Sequence, residues 1–202
     1  IAIDRKLYRQ TYSRGKPTSK LEVVGAAPNR RGTQISFHPD PQIFGDKMHW
    51  RPSRLYAMAR SKAYLSRAAE IRWECDPKLL KDDDKTPAKA TLHYPNGLAD
   101  MMKVEAEGAT LVLPEAFTGR VDLDGGGAVE WAIVWSANGF GGDNDGFSRS
   151  YCNTIPTTEG GTHEAGLRDG IFEALKAFAE HHDMMPRGIK LVAEDAWSRT
   201  VF

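Results

Sequence analysis

The chain has 202 residues, enough for one large domain or two smaller ones with a buried core. Its 27 basic residues balance 27 acidic ones, so any nucleic-acid contact must come from a local patch and not from the average charge. No run of about 18 apolar residues occurs, which excludes a membrane-spanning helix. Cys75 and Cys152 stand far apart in sequence and read as free thiols of the kind kept in a reducing compartment.

In chain order, residues 3–13 and 20–25 have strand character and flank the turn-rich Ser13-Arg14-Gly15-Lys16-Pro17. Asn29-Arg30-Arg31-Gly32 is a second turn, and Thr33–Phe37 alternates as a half-buried strand does. Pro39 and Pro41 then stop regular pairing. Residues 1–38 are therefore expected to be the closing strands of an antiparallel sheet, and both chain ends are expected to continue into something longer. A helix is predicted over 52–66, with Pro52 in its first turn and Leu55, Met58, Ala59, Lys62 and Ala63 at helical spacing.

Glu70–Cys75 alternates, with Ile71, Trp73 and Cys75 on one face. The charged, proline-bearing run 78–89 is expected to be an exposed hairpin loop, with Thr91–Tyr94 returning as the partner strand. A short helix is predicted over 98–105. Three more strands follow at 117–123, 129–136 and 148–155. In the second of these, Val129, Trp131, Ile133 and Trp135 share a face while Ala132 and Val134 make the other face apolar too, the pattern of a central strand covered on both sides. Gly139–Gly146 is a flexible connection; its Asp143-Asn144-Asp145-Gly146 lacks the ligand spacing of a calcium loop and reads as a solvated hairpin.

A long helix is predicted over 163–182, with Leu167, Ile171, Leu175 and Phe178 as its apolar stripe. Gly166 and Gly170 share a face and imply close approach of another backbone. His181 and His182 suit the carboxyl end, and Pro186 ends the segment. Glu194-Asp195 opens a short turn or helix. These elements together give an α+β fold: a mixed β-sheet packed with helices.

Two segments have chemistry worth weighing. Glu159-Gly160-Gly161-Thr162-His163-Glu164 places free backbone N–H groups at a helix start, either as an anion site or as a plain turn with Thr162 as cap and Glu164 complementing the dipole. Arg54, Arg60, Lys62 and Arg67 make the first helix basic, either as a solvated face or for phosphate contact; Arg168 lies on the long helix. No phosphate-binding Gly-x-x-x-x-Gly-Lys motif, metal-ligand spacing or catalytic triad is present, so no catalytic or metal-holding residue is assigned.

Several segments occur in a telling order: Gly32–Asp40, Ser53-Arg54-Leu55, Tyr94–Leu98, Asn153–Pro156, Glu159–His163 and Glu194-Asp195. Taken together they resemble the B subunits of bacterial type II DNA topoisomerases over nearly the whole chain. Residues 186–199 look closer to the topoisomerase IV branch than to the gyrase branch. The resemblance implies that residues 1–40 are the last strands of a GHKL-type ATP-binding domain, and that 41–202 are a transducer domain similar to domain 2 of ribosomal protein S5.

It implies that Gly32 and Thr33, with Ile35 nearby, border the adenine pocket, and that Arg168 faces transported DNA. The partners it implies are double-stranded DNA, the topoisomerase IV A subunit and a second B subunit on ATP binding, with no membrane. It implies a cytoplasmic, nucleoid-associated enzyme. ATP and Mg2+ would serve the intact protein, with most of their ligands outside this stretch, so the chain alone is expected to be inactive. The alternatives are the gyrase B protein and a mismatch-repair or chaperone module on the same two-domain plan.

Overall fold

A computed structural model describes residues 1–80, 85–138, 148–185, 188, 190–197 and 200–201. The glycine-rich connection 139–146, the centre of the 78–89 run and Pro186 lie outside those residues. Ile1–Trp50 and Arg51–Phe202 form two compact units.

The first unit is built from tight hairpins. Strands β1 (Ala2–Ile3) and β2 (Lys6–Arg9) are joined by Asp4 and Arg5, whose φ values of 51° and 61° are the left-handed pair that a two-residue hairpin needs. Strands β3 (Tyr12–Ser13) and β4 (Lys16–Pro17) repeat the device with Arg14 and Gly15. β2 then pairs with β5 (Glu22–Ala26). The expected strand over 3–13 is thus two hairpin arms separated at Gln10-Thr11. A short helix, α1 (Pro41–Phe44), starts at Asp40, whose carboxylate accepts the Gln42 N–H at 2.9 Å and the Arg14 Nε–H at 2.5 Å. The Gln42 backbone bond, then Arg14, holds the Asp40 carboxyl below its usual range.

The strand expected over 33–37 does not form. Gly32 exchanges backbone bonds with Ala2, and pairing stops there. Ile35 is 81% exposed because no element of the unit lies against the alternating face. Phe37 is 73% exposed and meets the Trp50 ring edge-on, with centroids 5.5 Å apart.

In the second unit, α2 (Pro52–Leu65) starts at proline and buries Pro52, Ala63 and Tyr64. Met58, one of the residues at helical spacing, is 54% exposed. Strands β6 (Ile71–Glu74) and β7 (Lys89–Leu92) pair antiparallel, with Ile71 and Trp73 turned inward and Arg72 and Glu74 outward. β7 starts two residues earlier than expected, and Trp73 donates its indole N–H to the Pro87 carbonyl. Helix α3 (Leu98–Glu105) follows a turn at Gly97 with φ 59°, which favours glycine, and a Cβ there would stand 2.7 Å from Arg67 Nε. Asp100 reaches back to the backbone N–H and side-chain amide of Asn96, both at 3.0 Å.

β8 (Phe117–Asp122) and β9 (Ala128–Trp135) make a six-pair hairpin in which Trp131 lies across Gly119, closer than any Cβ would permit. Strand β10 (Tyr151–Cys152) and β11 (Ile155–Pro156) form a small hairpin where a longer strand was expected; Asn153 and Thr154 turn the chain with φ values of 48° and 69°. Helix α4 (Thr162–His181), helix α5 (Ala193–Trp197) and strand β12 (Thr200–Val201) complete the unit. β12 pairs with the far edge of β9, which makes β9 the central strand. Every pairing among the described strands is antiparallel.

The core sits where α3 covers β9. Tyr64, Met101, Met102, Ala106, Ala132 and Val134 form one buried cluster, and Tyr64 stacks on Tyr94 with centroids 3.9 Å apart. Burial, then its neighbour Tyr94, raises the Tyr64 hydroxyl far above its usual pKa, so it stays neutral. Met102 is 1% exposed, and Met102→Ala is expected to destabilise the intact protein by about 2–5 kcal/mol, measured by denaturant unfolding.

Candidate functional site

In the first unit, the residues expected to border a nucleotide base lie just past the last paired position. Gly32 has φ 141°, a conformation that disfavours a side chain, and nothing stands within 4 Å of where a Cβ would be. Thr33 and Ile35 are exposed beside it. This is an open ledge with one hydroxyl and one branched apolar group. Among the described residues no group of three His, Cys, Asp or Glu gathers to hold a metal ion.

In the second unit, the chemistry concentrates where residues 148–150 run past the start of α4. An extended segment points successive side chains to opposite sides. Ser148 and Ser150 accordingly reach Glu164, donating to its two carboxylate oxygens at 3.0 and 3.1 Å. Arg149, between them, turns the other way and binds Glu105 at the end of α3 at 2.6 and 3.2 Å. Three consecutive residues thereby tie the end of one helix to the start of another.

The network continues outward. Ser150 and Thr157 share a 2.6 Å hydroxyl contact, and Thr157 Oγ1 lies 3.3 Å from His163 Nε2. Between this segment and the glycine turn lies a cleft of about 500 Å³, lined by Ser148, Ser150, Tyr151, Thr157, Glu159 and Glu164. A neighbouring cavity of about 440 Å³ is walled by Tyr64, Met101, Met102, Trp131, His163 and Leu167.

The cap of α4 differs from expectation. Gly161 is the N-cap and Thr162 the first helical residue, with no side-chain cap bond. A glycine cap is tolerated because Glu164 puts negative charge in the first turn instead. The anion at this helix start is the chain's own carboxylate. Burial pushes the Glu164 pKa up, but the bonds from Ser148 and Ser150 and the charge of Arg168 outweigh that and hold it below the usual range. The expected close approach at Gly166 and Gly170 is absent among the described residues: a Cβ at either would meet none of their atoms within 4 Å.

Arg168 lies one turn past Glu164 and donates to it at 3.3 Å, while its guanidinium sits 5.5 Å from the centroid of the Trp197 ring on α5. It therefore links the two helices while its side chain remains 38% exposed. Sequence reasoning does not single out Ser148, Ser150, Thr157 or Trp197. The signals that could have found this network are the Ser-Arg-Ser alternation and the Glu164–Arg168 spacing of four.

The sequence profile of the DNA gyrase B family matches residues 97–202, just over half the chain, and so includes the glycine turn, α4 and Arg168. The chain belongs to the DNA gyrase B family. Its curated relatives include the B subunit of DNA topoisomerase 4 from Caulobacter vibrioides, 49% identical over 187 residues that cover 92% of this chain and 26% of the relative. The corresponding Bartonella bacilliformis protein is 50% identical over 89% of this chain and 25% of the relative. The Pseudomonas aeruginosa protein is 34% identical over 98% of this chain and 30% of the relative.

The chain thus spans about a quarter of the length of the first two relatives. Among solved structures, the 43K ATPase domain of Thermus thermophilus gyrase B, in complex with an aminocoumarin, superposes with TM-score 0.74. It is 28% identical over 99% of this chain and 52% of that one. Gyrase B from Myxococcus xanthus shares the fold, with TM-score 0.72 at 20% identity over 98% of this chain and 53% of that one. In this family the α+β fold read from the sequence holds.

The lowered Glu164 pKa makes stability depend on pH with a definite sign. A carboxyl whose folded pKa lies below its ordinary 4.5 contributes stability that is complete above that value and lost as pH falls through the lowered folded pKa. Thermal melting of the intact protein across about pH 3–6 should show Glu164→Gln melting a few degrees lower at the top of that range, with the gap closing toward the bottom.

Proposed function

We propose that this chain is part of the B subunit of a topoisomerase IV-type enzyme that couples ATP binding and hydrolysis to passage of one DNA duplex through another. The observation that carries the reading is the near-50% identity to topoisomerase 4 B subunits over about nine-tenths of the chain. On this reading residues 1–40 close a GHKL-type ATP-binding domain, and residues 41–202 are the transducer. The exposed apolar residues Val23, Val24, Ile35 and Phe37 fit a segment made to pack against the rest of such a domain. Gly32, Thr33 and Ile35 border the adenine of bound ATP, and Mg2+ acts with the nucleotide in the intact protein.

The partners are double-stranded DNA, the topoisomerase IV A subunit and a second B subunit joined on ATP binding, all in the cytoplasm at the nucleoid. Arg168 faces the DNA. Its bonds to Glu164 and its place over Trp197 fix it between α4 and α5, so nucleotide-driven movement of the transducer would carry a positioned charge with it. The same contacts give Arg168 a structural task, and the two roles separate by experiment.

The intact protein, mixed with its A subunit and ATP, is expected to unlink catenated DNA circles and to relax supercoils without introducing negative ones. Negative supercoiling instead would assign the gyrase branch. Replacing Arg168 with Gln is expected to reduce DNA stimulation of ATP hydrolysis and strand passage while leaving DNA-independent hydrolysis intact. Unchanged stimulation would remove Arg168 from the DNA-facing set.

A further inference from the structure

Ion pairing in the second unit is uneven. Among the described residues there, Arg67, Arg72, Arg120, Arg149 and Arg168 each reach a carboxylate. Arg51, Arg54 and Arg60 do not, and neither does Lys62; all four belong to α2 or its first flanking position. From Arg51 to Ala69 the sequence carries five basic residues and no acidic one. The balanced net charge of the chain hides this local excess.

The helix sorts these charges by face. At 100° per residue, Arg51, Arg54, Met58 and Lys62 fall on one side, away from the buried Tyr64, and all four are exposed. Arg60 points the other way and is half-buried. Met58, at the middle of the row, neither neutralises charge nor competes for a hydrogen-bond donor. Lys62 gives one hydrogen bond, at 3.3 Å, to the Thr154 hydroxyl at the tip of the β10–β11 turn, which keeps its ammonium at the surface while neutralising nothing.

We propose that this row is a second DNA-backbone contact, separate from Arg168. It would take the phosphates of a duplex without reading its sequence. The inference rests on the reading of the intact protein as a DNA enzyme. From Arg51 to Lys62 the helix rises by eleven steps, about 16 Å. Phosphates of one strand recur about every 3.4 Å along the duplex axis, so a row of that length meets enough of them for three contacts. Two of the three cations are arginines, whose forked guanidinium suits phosphate oxygens. The face offers Met58 between its charges and Ser61 at its edge, and its flanking Leu55 and Leu65 are half-buried, so it lacks the broad exposed apolar side that a membrane-surface helix buries and an anionic bilayer is the poorer fit.

The test uses the intact protein carrying Arg51→Gln, Arg54→Gln and Lys62→Gln together, with a labelled duplex followed by fluorescence anisotropy from about 50 to 200 mM salt. Three lost phosphate contacts should make the log–log salt slope shallower by about 2.7, equal to about 40-fold over that fourfold range. A companion variant, Arg51→Lys with Arg54→Lys, keeps the charge and should keep the slope. Equal slopes for the wild type and the Gln variant overturn the proposal while leaving the DNA-enzyme reading in place. A Lys variant as weak as the Gln variant overturns it as well, because the loss would then not follow charge. Row-dependent binding to phosphatidylserine vesicles, with duplex binding unaffected, would reassign the surface to a bilayer. Wild-type protein that neither binds duplex nor passes strands would sink the functional reading along with this one.

Discussion

The second unit depends on β9 having two apolar faces. A strand with polar residues on one side can rest against water, but Ala132, Ile133 and Val134 are all buried, so this one needs cover front and back and a neighbour on each edge. β8 and β12 supply the edges. α3 supplies one cover through Met101 and Met102, and Tyr64 extends the same cluster to α2. Gly119 is part of this arrangement, since the indole of Trp131 needs the space a side chain would fill. Once these pieces are placed, the ends of α2 and α3 are set, and the polar network ties the start of α4 to the end of α3.

That network is economical in residues. Ser148, Arg149 and Ser150 use the plain alternation of an extended chain to hold two helices at once: hydroxyls toward Glu164 on α4, guanidinium toward Glu105 on α3. Glu164 also receives Arg168, which lies over Trp197 just before β12 returns to the sheet. A displacement of the start of α4 would therefore be felt at α3 and at α5. For a domain proposed to pass nucleotide state on to DNA, a chain of charge-assisted bonds between rigid elements is a suitable physical link. Among the described residues it also separates two kinds of arginine: those paired with carboxylates, and those on α2 that reach none.

The first unit is held differently. Its backbone ladders and left-handed hairpin turns are well formed, yet only Ala2 and Ala27 are buried among its apolar residues. Turn chemistry and pairing specify its shape, while burial contributes little. This accounts for the fate of Thr33–Phe37. Alternation marks a face that can be buried, but a strand also needs a neighbour for its N–H and C=O groups, and past Gly32 none lies beside it.

Much was determined by the sequence alone, where local physics decides. Proline at Pro52, glycine at Gly97 and the apolar spacing of 98–105 place two helices, and alternation places β6 and the centrality of β9. The order of motifs, above all Glu159–His163, carries the family. Tertiary structure decided what depends on a second element. It shows that Gly166 and Gly170 meet nothing among the described residues, that Thr162 gives the cap to Gly161, and that Met58 is exposed. It also shows that Glu164 is the anion at its own helix start. A residue's spacing tells which side of a helix it occupies; only the packed chain tells what, if anything, stands on that side.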